Sequence, residues 1–353
     1  MSWRLVTVLA LTVLSGFGGD WNPRLAADYL DARQKLWAAW PRADDGQGRP
    51  CLSCHTGLPY LLSRPALRRA LGESTPSSYE TGLLDGLRHR LAKKTPQEYA
   101  PKSKEPFAGQ ALGVEAILSA LVLAAEDSRR GVFSEDTEQA FERMWSLQIP
   151  DGKAKGGWNW NSLGVDPWEM PDSAFYGASL AALAVGMTPS AYQSRPKVRA
   201  NVEALQTYLA SLRETQPVHH RLVLVWASTK LPGTLSPADR QKILDDVWRR
   251  QQPDGGWTME SLGPWPAHPN APPAEGSSGY ATGLVAFVMQ RAGVAIENPG
   301  LSRALGWLRS HQDAAGFWEA RSMNKRYEPD SMPSQFMRDA ATGFASLALL
   351  EAR

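Results

Sequence analysis

The chain has 353 residues, and 43% of them are hydrophobic, which is enough to bury a sizeable core. The formal net charge at pH 7 is +2, so charge implies no nucleic-acid partner. The fourteen tryptophans are an unusually large number, and both cysteines fall within one short motif.

The N-terminal segment predicts an export signal. Arg4 supplies a positive start, and Leu5–Leu14 is an apolar run too short to span a bilayer. Small residues follow, so we predict a cleaved signal peptide over 1–18 and a periplasmic or otherwise exported protein. The rest, 19–353, is predicted to form one domain without a transmembrane segment.

The two cysteines lie in the stretch GRPCLSCHTGLPYLL, residues 48–62. Cys51, Cys54 and His55 form C-x-x-C-H, the pattern for covalent attachment of one haem c. In that interpretation the cysteines form the thioethers and His55 is the proximal iron ligand. The alternatives are a surface disulfide, a thiol redox pair or half of a metal site. A thioredoxin-like pair needs a βαβ context and a structural zinc site needs four ligands, and the sequence predicts neither.

Three later segments share one pattern, in which an aromatic residue ends a helix and is followed by a glutamine, a tight turn and a closing tryptophan. Asp-Gly suits the turn because glycine adopts positive φ at little cost. The glutamine can bond backbone groups left open at the helix end. The segments are WSLQIPDGKAKGGWNW from Trp145, WRRQQPDGGW from Trp248 and WLRSHQDAAGFW from Trp307.

An apolar helix follows each of these turns, over 172–186, 278–293 and 338–352. Helices that are apolar on most faces are buried, whereas the preceding helices, such as 236–251, carry charge and are amphipathic. Each unit is therefore an outer amphipathic helix, a turn and an inner apolar helix. Such a unit must stack on its neighbours to bury the inner helix.

Counting these units gives six inner helices. One of them, over 217–228, lacks the opening glycine that marks the other five. Six hairpins can close into a ring with all inner-helix N-termini at one mouth, so we predict an all-α (α/α)6 toroid. The five marked helices open at Gly57, Gly113, Gly177, Gly283 and Gly343.

The glutamine–tryptophan turns resemble those of the prenyltransferase and squalene-oxidase repeat proteins, and most closely those of the squalene–hopene cyclases. The resemblance implies a toroid but says little about chemistry, because a fold does not fix a function. The matching residues are Gln148/Gly157/Trp158, Gln252/Gly256/Trp257 and Gln312/Gly316/Trp318.

The sequence departs from that family at its catalytic motif. Class II terpene cyclases protonate their substrate with Asp-x-Asp-Asp before an inner helix, and no inner helix here is preceded by such a cluster. Isolated acids at Asp172, Asp339 and Glu115 are weak catalytic candidates, and a helix-start acid favoured by the dipole is the alternative for the first two. The zinc site of the family's transferases is not evident, since both cysteines lie in one C-x-x-C.

Aligning the repeats places the haem motif at the start of the first inner helix. The haem would then hang at the mouth of the ring and face the shared cavity. A sixth iron ligand would come from His219 or His220, at the start of the fourth inner helix, unless these form only a polar helix start. Weaker candidates are Met170, Met332, Met337 and His268.

These features favour an exported mono-haem protein acting in electron transfer or haem-dependent redox chemistry. The expected partners are a redox protein or an apolar small molecule, since a tryptophan-rich cavity favours an apolar ligand. Two alternatives stay open: a cyclase-like or prenyl-chain-binding enzyme without haem, and a lipid- or partner-binding scaffold without chemistry.

Overall fold

The computed structural model describes residues 21–44, 49–273 and 275–352. The predicted signal peptide, residues 1–18, lies outside these residues, and the predicted domain boundaries stay a prediction. Within the described residues the regular structure is helical, with three isolated bridges and no strand.

Six outer helices carry the amphipathic segments. Polar N-caps begin several of them: Ser77 and Glu80 form a reciprocal capping box, and the Ser134 and Ser236 side chains each accept from a backbone N–H in the first turn. The outer helices are α1 (Pro23–Ala39), α3 (Ser78–Arg90), α5 (Glu135–Ser146), α7 (Pro196–Leu212), α9 (Pro237–Trp248) and α11 (Pro299–Ser310).

Six inner helices carry the apolar segments and form the core. In the third of them, AFYGASLAALAVG, every residue from Phe175 to Val185 is buried. A helix that is apolar on all sides requires this environment. The inner helices are α2 (Gly57–Ala70), α4 (Phe107–Arg130), α6 (Ala174–Gly186), α8 (Val218–Ser228), α10 (Gly279–Arg291) and α12 (Phe336–Glu351).

The inner helices pack side by side in chain order, and α12 packs on α2 to close the ring. Each outer helix packs beside its own hairpin's inner helix or the neighbouring one. The prediction of an all-α toroid of six hairpins is therefore confirmed. The C-terminal ends of five inner helices, together with the residue after the sixth, line one cavity, so the inner helices are parallel, with their C-termini at one mouth and their N-termini at the other.

One inner helix is long and apolar enough to cross a membrane, which the sequence analysis did not anticipate. It is α4, and 78% of its most apolar 18-residue window is buried inside the ring. Its apolar character therefore suits its place in the core.

The three glutamine–tryptophan turns make the same set of hydrogen bonds. The closing tryptophan donates its indole N–H to a carbonyl near the end of the outer helix, at 2.7–2.9 Å. The glutamine amide donates to a glycine carbonyl of its own turn and to a second carbonyl near the start of the next outer helix. In the second turn that glutamine is Gln251 and not the predicted Gln252, whose side chain donates only to the Arg250 carbonyl.

The glycines predicted to open the inner helices allow close approach between units, but only Gly57 is a first residue, and the other four lie within the first two turns of their helices. A Cβ on Gly113 would lie 2.1 Å from the Asn159 carbonyl oxygen, and one on Gly283 would lie 2.6 Å from the Ala345 nitrogen. Both positions exclude any side chain, which explains why glycine recurs in the first turns of these helices.

Candidate functional site

Three adjoining cavities run across the mouth where the inner helices begin, with volumes of about 410, 250 and 460 Å³. His55 and Glu169 line both the first and the second, and Asp166 lines both the second and the third. The cavities therefore share walls, and together we call them the mouth groove. Aromatic side chains line it: Trp37, Tyr99 and Phe107 in the first cavity, Trp40, Trp168, Tyr327 and Phe336 in the second, and Trp265 in the third.

The cysteine motif forms one wall of the mouth groove. The Ser53 hydroxyl accepts from the backbone N–H groups of Thr56 and Gly57, at 3.1 and 3.0 Å, and so caps α2. Cys54 is buried and Cys51 is partly exposed, and both line the first cavity. Burial raises the pKa of the Cys54 thiol, and the nearby Glu169 carboxylate raises it further.

A hydrogen-bond chain sets the tautomer of His55. Two hydrogen bonds from the Arg33 guanidinium, at 2.7 and 3.2 Å, hold Asp339 as an acceptor. The Thr56 hydroxyl donates to Asp339 Oδ2 at 2.7 Å, so its oxygen accepts from His55 Nδ1–H at 2.8 Å. Nε2 of His55 therefore keeps its lone pair.

The surroundings of His55 keep its ring neutral. Phe336 stacks on the imidazole with ring centroids 3.6 Å apart, and Trp37 meets it edge-on at 5.3 Å. Burial lowers the pKa of His55 to about 3, and the Arg33 charge acts in the same direction. At neutral pH His55 is thus an uncharged acceptor at the mouth groove.

Glu169 stands between the first and second cavities. Its backbone is fixed by a tight turn, because Glu169 N–H donates to the Val165 carbonyl at 3.0 Å and the Glu169 carbonyl accepts from Leu163 and Gly164. Burial raises the pKa of its carboxyl, and a 3.0 Å hydrogen bond from the Asn161 amide opposes that rise. Glu169 is thus a protonatable acid on a rigid loop.

Asp166 stands between the second and third cavities. Its Oδ2 lies 2.8 Å from His268 Nε2, and the Asn324 amide bonds both its backbone N–H and its carbonyl. Its other oxygen, Oδ1, is buried and has no hydrogen-bond partner in the described part of the chain. Burial raises the pKa of Asp166, and the bond to His268 opposes the rise.

The three acids named from the sequence occupy other environments. Asp339 is fully buried in its ion pair with Arg33, and Glu115 is buried against Arg90, with Nε 2.7 Å from Oε1. These pairs tie an outer helix to the first turns of an inner helix. Asp172 lies exposed in the turn before α6.

The predicted sixth-ligand histidines are not brought to His55. His219 Nε2 bonds the Tyr280 hydroxyl at 2.8 Å, and His220 Nε2 bonds the Pro167 carbonyl at 3.0 Å. The rings of Trp168 and Tyr280 lie between His55 and His219, and the Trp168 indole donates to the same Tyr280 hydroxyl at 3.1 Å. Both histidines are buried, and burial lowers the pKa of each.

The weaker sixth-ligand candidates are dispersed around the mouth. Met332 Sδ accepts from Arg33 at 3.5 Å, Met337 lines the second cavity, and His268 is engaged by Asp166. Met170 lies just before α6, where its backbone N–H donates to the Ser173 hydroxyl.

No protein-family model matches the chain, and no curated protein sequence matches it. Solved structures do. A glycosidase is 12% identical across 94% of this chain and 97% of its own, with a TM-score of 0.54. A polysaccharide lyase is 14% identical across 93% of this chain and 96% of its own, with a TM-score of 0.53. The GH76A α-1,6-mannanase from Salegentibacter sp. HEL1_6 is 10% identical across 93% of this chain and 100% of its own, with a TM-score of 0.54.

At these identities the likeness establishes the fold and leaves the activity to the site. The neighbours are enzymes, and the toroid part of the predicted resemblance is confirmed. The prediction of electron transfer or haem-dependent redox chemistry is wrong on these findings: the solved toroids named above are a glycosidase, a polysaccharide lyase and an α-1,6-mannanase. The five-residue motif specified an attachment pattern and carried no information about the rest of the groove.

Covalent haem c on Cys51, Cys54 and His55 stays a prediction. The neutral imidazole, bonded through Nδ1 with Nε2 left open, is the form in which a histidine binds a metal. A haem-stained denaturing gel of protein made with haem maturation factors decides it.

The two groove acids, Asp166 and Glu169, escaped the sequence analysis. They lie in the irregular loop SLGVDPWEMP between a closing tryptophan and α6, outside every repeat. The sequence did carry a signal for them: this loop contains two acids and a tryptophan and leads into an inner helix. Loops held by a rigid scaffold are where binding and catalytic residues concentrate.

Proposed function

We propose that the protein is a carbohydrate-processing enzyme that cleaves a polysaccharide by hydrolysis in the mouth groove. The observation that carries this is the arrangement of the groove: three cavities in a row, lined with aromatic rings, with a carboxyl group at each shared wall. An elongated groove suits successive units of a polymer, and aromatic walls give sugar rings apolar faces to pack on.

The likeness in fold supports the proposal without deciding it. Neighbours named as a glycosidase, an α-1,6-mannanase and a polysaccharide lyase share the toroid over nearly their whole length. Hydrolysis is favoured over elimination because glycoside hydrolysis uses a pair of carboxyl groups, and this groove supplies two.

Glu169 is assigned as the proton donor. A general acid must hold its proton near the working pH, and burial raises the pKa of this carboxyl. Its proton passes to the glycosidic oxygen as the bond to the anomeric carbon breaks. Water adds to that carbon and loses one proton to the second carboxylate, so the products are a new reducing end and a free hydroxyl. Exchange with solvent then returns a proton to Glu169.

Asp166 is assigned as the second carboxylate. His268 holds Oδ2 and favours the charged form, while Oδ1 is buried in the wall shared by the second and third cavities and has no partner among the described residues. The Asn324 bonds to its backbone keep the side chain in place.

Two finer predictions accompany this proposal. Export is supported by Arg4 and the apolar run Leu5–Leu14, which suit an enzyme whose polymeric substrate lies outside the cell. Kinship with squalene-cyclase toroids is supported by the repeated bonding of the glutamine–tryptophan turns, and it concerns the scaffold alone.

The test is a screen of purified protein against a panel of neutral and acidic polysaccharides that includes α-1,6-mannan. We expect new reducing ends from at least one polymer. Glu169→Gln is expected to lower the rate about 100-fold or more, since it removes the proton donor while keeping the Asn161 contact possible. Glu203→Gln, on the exposed face of α7, is the matched control and leaves the rate unchanged.

Products that carry a new double bond would show that the protein cleaves by elimination and not by hydrolysis. Full activity in Glu169→Gln, with the fold intact, would overturn the assignment of this groove as the active site.

A further inference from the structure

A second large cavity opens at the opposite mouth of the ring, where the inner helices end. Its volume is about 560 Å³, larger than any one cavity of the mouth groove. We call it the basal cavity. Its apolar lining comes from five of the inner helices and the residue after α6: Leu62, Ala66, Ala70, Ala125, Met187, Trp226, Phe287, Leu347 and Leu350.

The floor of the basal cavity is aromatic. Trp226 and Phe287 pack edge to face with centroids 5.0 Å apart, and they are 4% and 2% exposed. Phe344 lies against both rings, at 6.3 Å from each. A chain entering from solvent therefore meets a preformed apolar surface.

The rim of the basal cavity is cationic. Four basic side chains and one acid, Glu351, contribute to the lining. Glu351 pairs with Arg291 at 2.9 Å, and Arg129 pairs with Glu126 at 2.6 Å. The remaining two cations, Arg69 and Lys230, have no ion-pair partner within the described residues.

Helix dipoles account for part of this charge. Arg69, Arg129 and Arg291 lie in the last turns of their helices, where a cation offsets the partial negative charge of the helix end. Dipoles do not explain Lys230, which lies beyond the end of α8, or the crowding of like charges. Burial and the neighbouring Arg129 and Arg68 charges lower the pKa of Arg69, so that guanidinium lies in a field that favours an anion.

We propose that the basal cavity binds an anionic amphiphile, with one alkyl or isoprenoid chain over Trp226 and Phe287 and a carboxylate or phosphate head beside Arg69. The apolar floor matches the chain, and the unpaired rim cations match the head. Carboxylates and phosphates share this recognition by charge-assisted hydrogen bonds from arginine. The site lies at the opposite mouth from the proposed hydrolase groove and does not depend on that function.

The test is a calorimetric titration of the whole protein with dodecanoate and, separately, with dodecanol, both below their aggregation concentrations. Dodecanoate is expected to bind about tenfold more tightly than dodecanol, since one charge-assisted contact is worth about one decade of affinity. Added salt should weaken binding of dodecanoate and leave dodecanol unchanged. Dodecyl phosphate, run in parallel, shows which head group the rim prefers.

Variants locate the site. Arg69→Gln with Lys230→Gln should remove the preference for dodecanoate, whereas Lys197→Gln on the exposed face of α7 should not. Ala70→Trp, at the exposed end of α2, should block both ligands and leave the unfolding temperature unchanged. Equal affinity for the two ligands, unaltered binding in the double variant, or binding only to vesicles containing phosphatidylglycerol would each overturn the proposal.

Discussion

At the level of single residues, the two groove acids differ in how their protons are controlled. Burial raises the pKa of both carboxyl groups; an amide hydrogen bond from Asn161 opposes the rise at Glu169, whereas the hydrogen bond and charge of His268 oppose it at Asp166. In hydrolysis, environments that push the pKa values of two carboxyl groups apart decide which group acts as the acid and which as the base. Sequence spacing could not reveal this, because His268 is 102 residues from Asp166.

Removing His268 should shift the pH profile of the reaction. His268 lowers the pKa of Asp166, so in His268→Ala that pKa rises and Asp166 loses its charge at a higher pH. The acidic limb of kcat/KM against pH should therefore move to higher pH. His311→Ala, at an exposed position, is the control and keeps the wild-type profile. An unmoved acidic limb in His268→Ala would remove Asp166 from the mechanism.

Asp339 illustrates how a helix-start acid can be structural. Asp339→Asn leaves Arg33 buried without its counter-ion, so we expect a loss of about 3–5 kcal/mol in the free energy of unfolding. Urea denaturation measures this, with the exposed Asp28→Asn as the control. Wild-type stability combined with lost activity would instead make Asp339 catalytic, as the sequence had allowed.

At the level of elements, the repeated turn was predictable but its register was not. Two adjacent glutamines follow Trp248, and only the geometry of the turn decides which one reaches the Gly255 and Gly300 carbonyls. Sequence periodicity predicts helices and turns because it reflects burial. Which of two adjacent glutamines makes the bonds depends on the path of the backbone, which periodicity does not specify.

The register can be tested with neighbouring alanine variants. Gln251→Ala removes one hydrogen bond within its own turn and two to the next outer helix, at Gly300 and Arg303, and we expect a loss of about 1–3 kcal/mol in the free energy of unfolding. Gln252→Ala removes one local bond and should cost less than half as much. Equal losses in the two variants, measured by denaturant unfolding, would contradict the assigned register.

At the level of the whole molecule, the six-hairpin ring followed from counting inner helices. The mouth groove did not, because the loops that build it, 160–173 and 319–335, have no counterpart in the repeat. Such loops carry no period, and their positions depend on contacts such as Asn324 with Asp166. The haem motif lies at the mouth that holds the groove, as predicted, but the redox activity predicted from it is wrong.

The buried histidines make the stability of the ring depend on pH. Burial holds the pKa of His219 well below its usual value of about 6.5, so the unfolded chain binds a proton that the folded chain does not. Stability is therefore fully present above about pH 6.5 and falls on acidification below it. Compared with the wild type, His219→Gln should show a shallower fall between pH 7 and pH 5, whereas the exposed His311→Gln should not. Parallel curves for His219→Gln and the wild type would contradict this.

Hydrolysis in the mouth groove is tested most directly in oxygen-18-labelled water. The polysaccharide that the screen shows to be cleaved is digested there, and the masses of the products are measured by mass spectrometry. Hydrolysis places one labelled oxygen at each new reducing end, because water adds to the anomeric carbon, and Glu169→Gln should slow the appearance of that label about 100-fold. Products without label, or labelled products that form at the wild-type rate in Glu169→Gln, would contradict it.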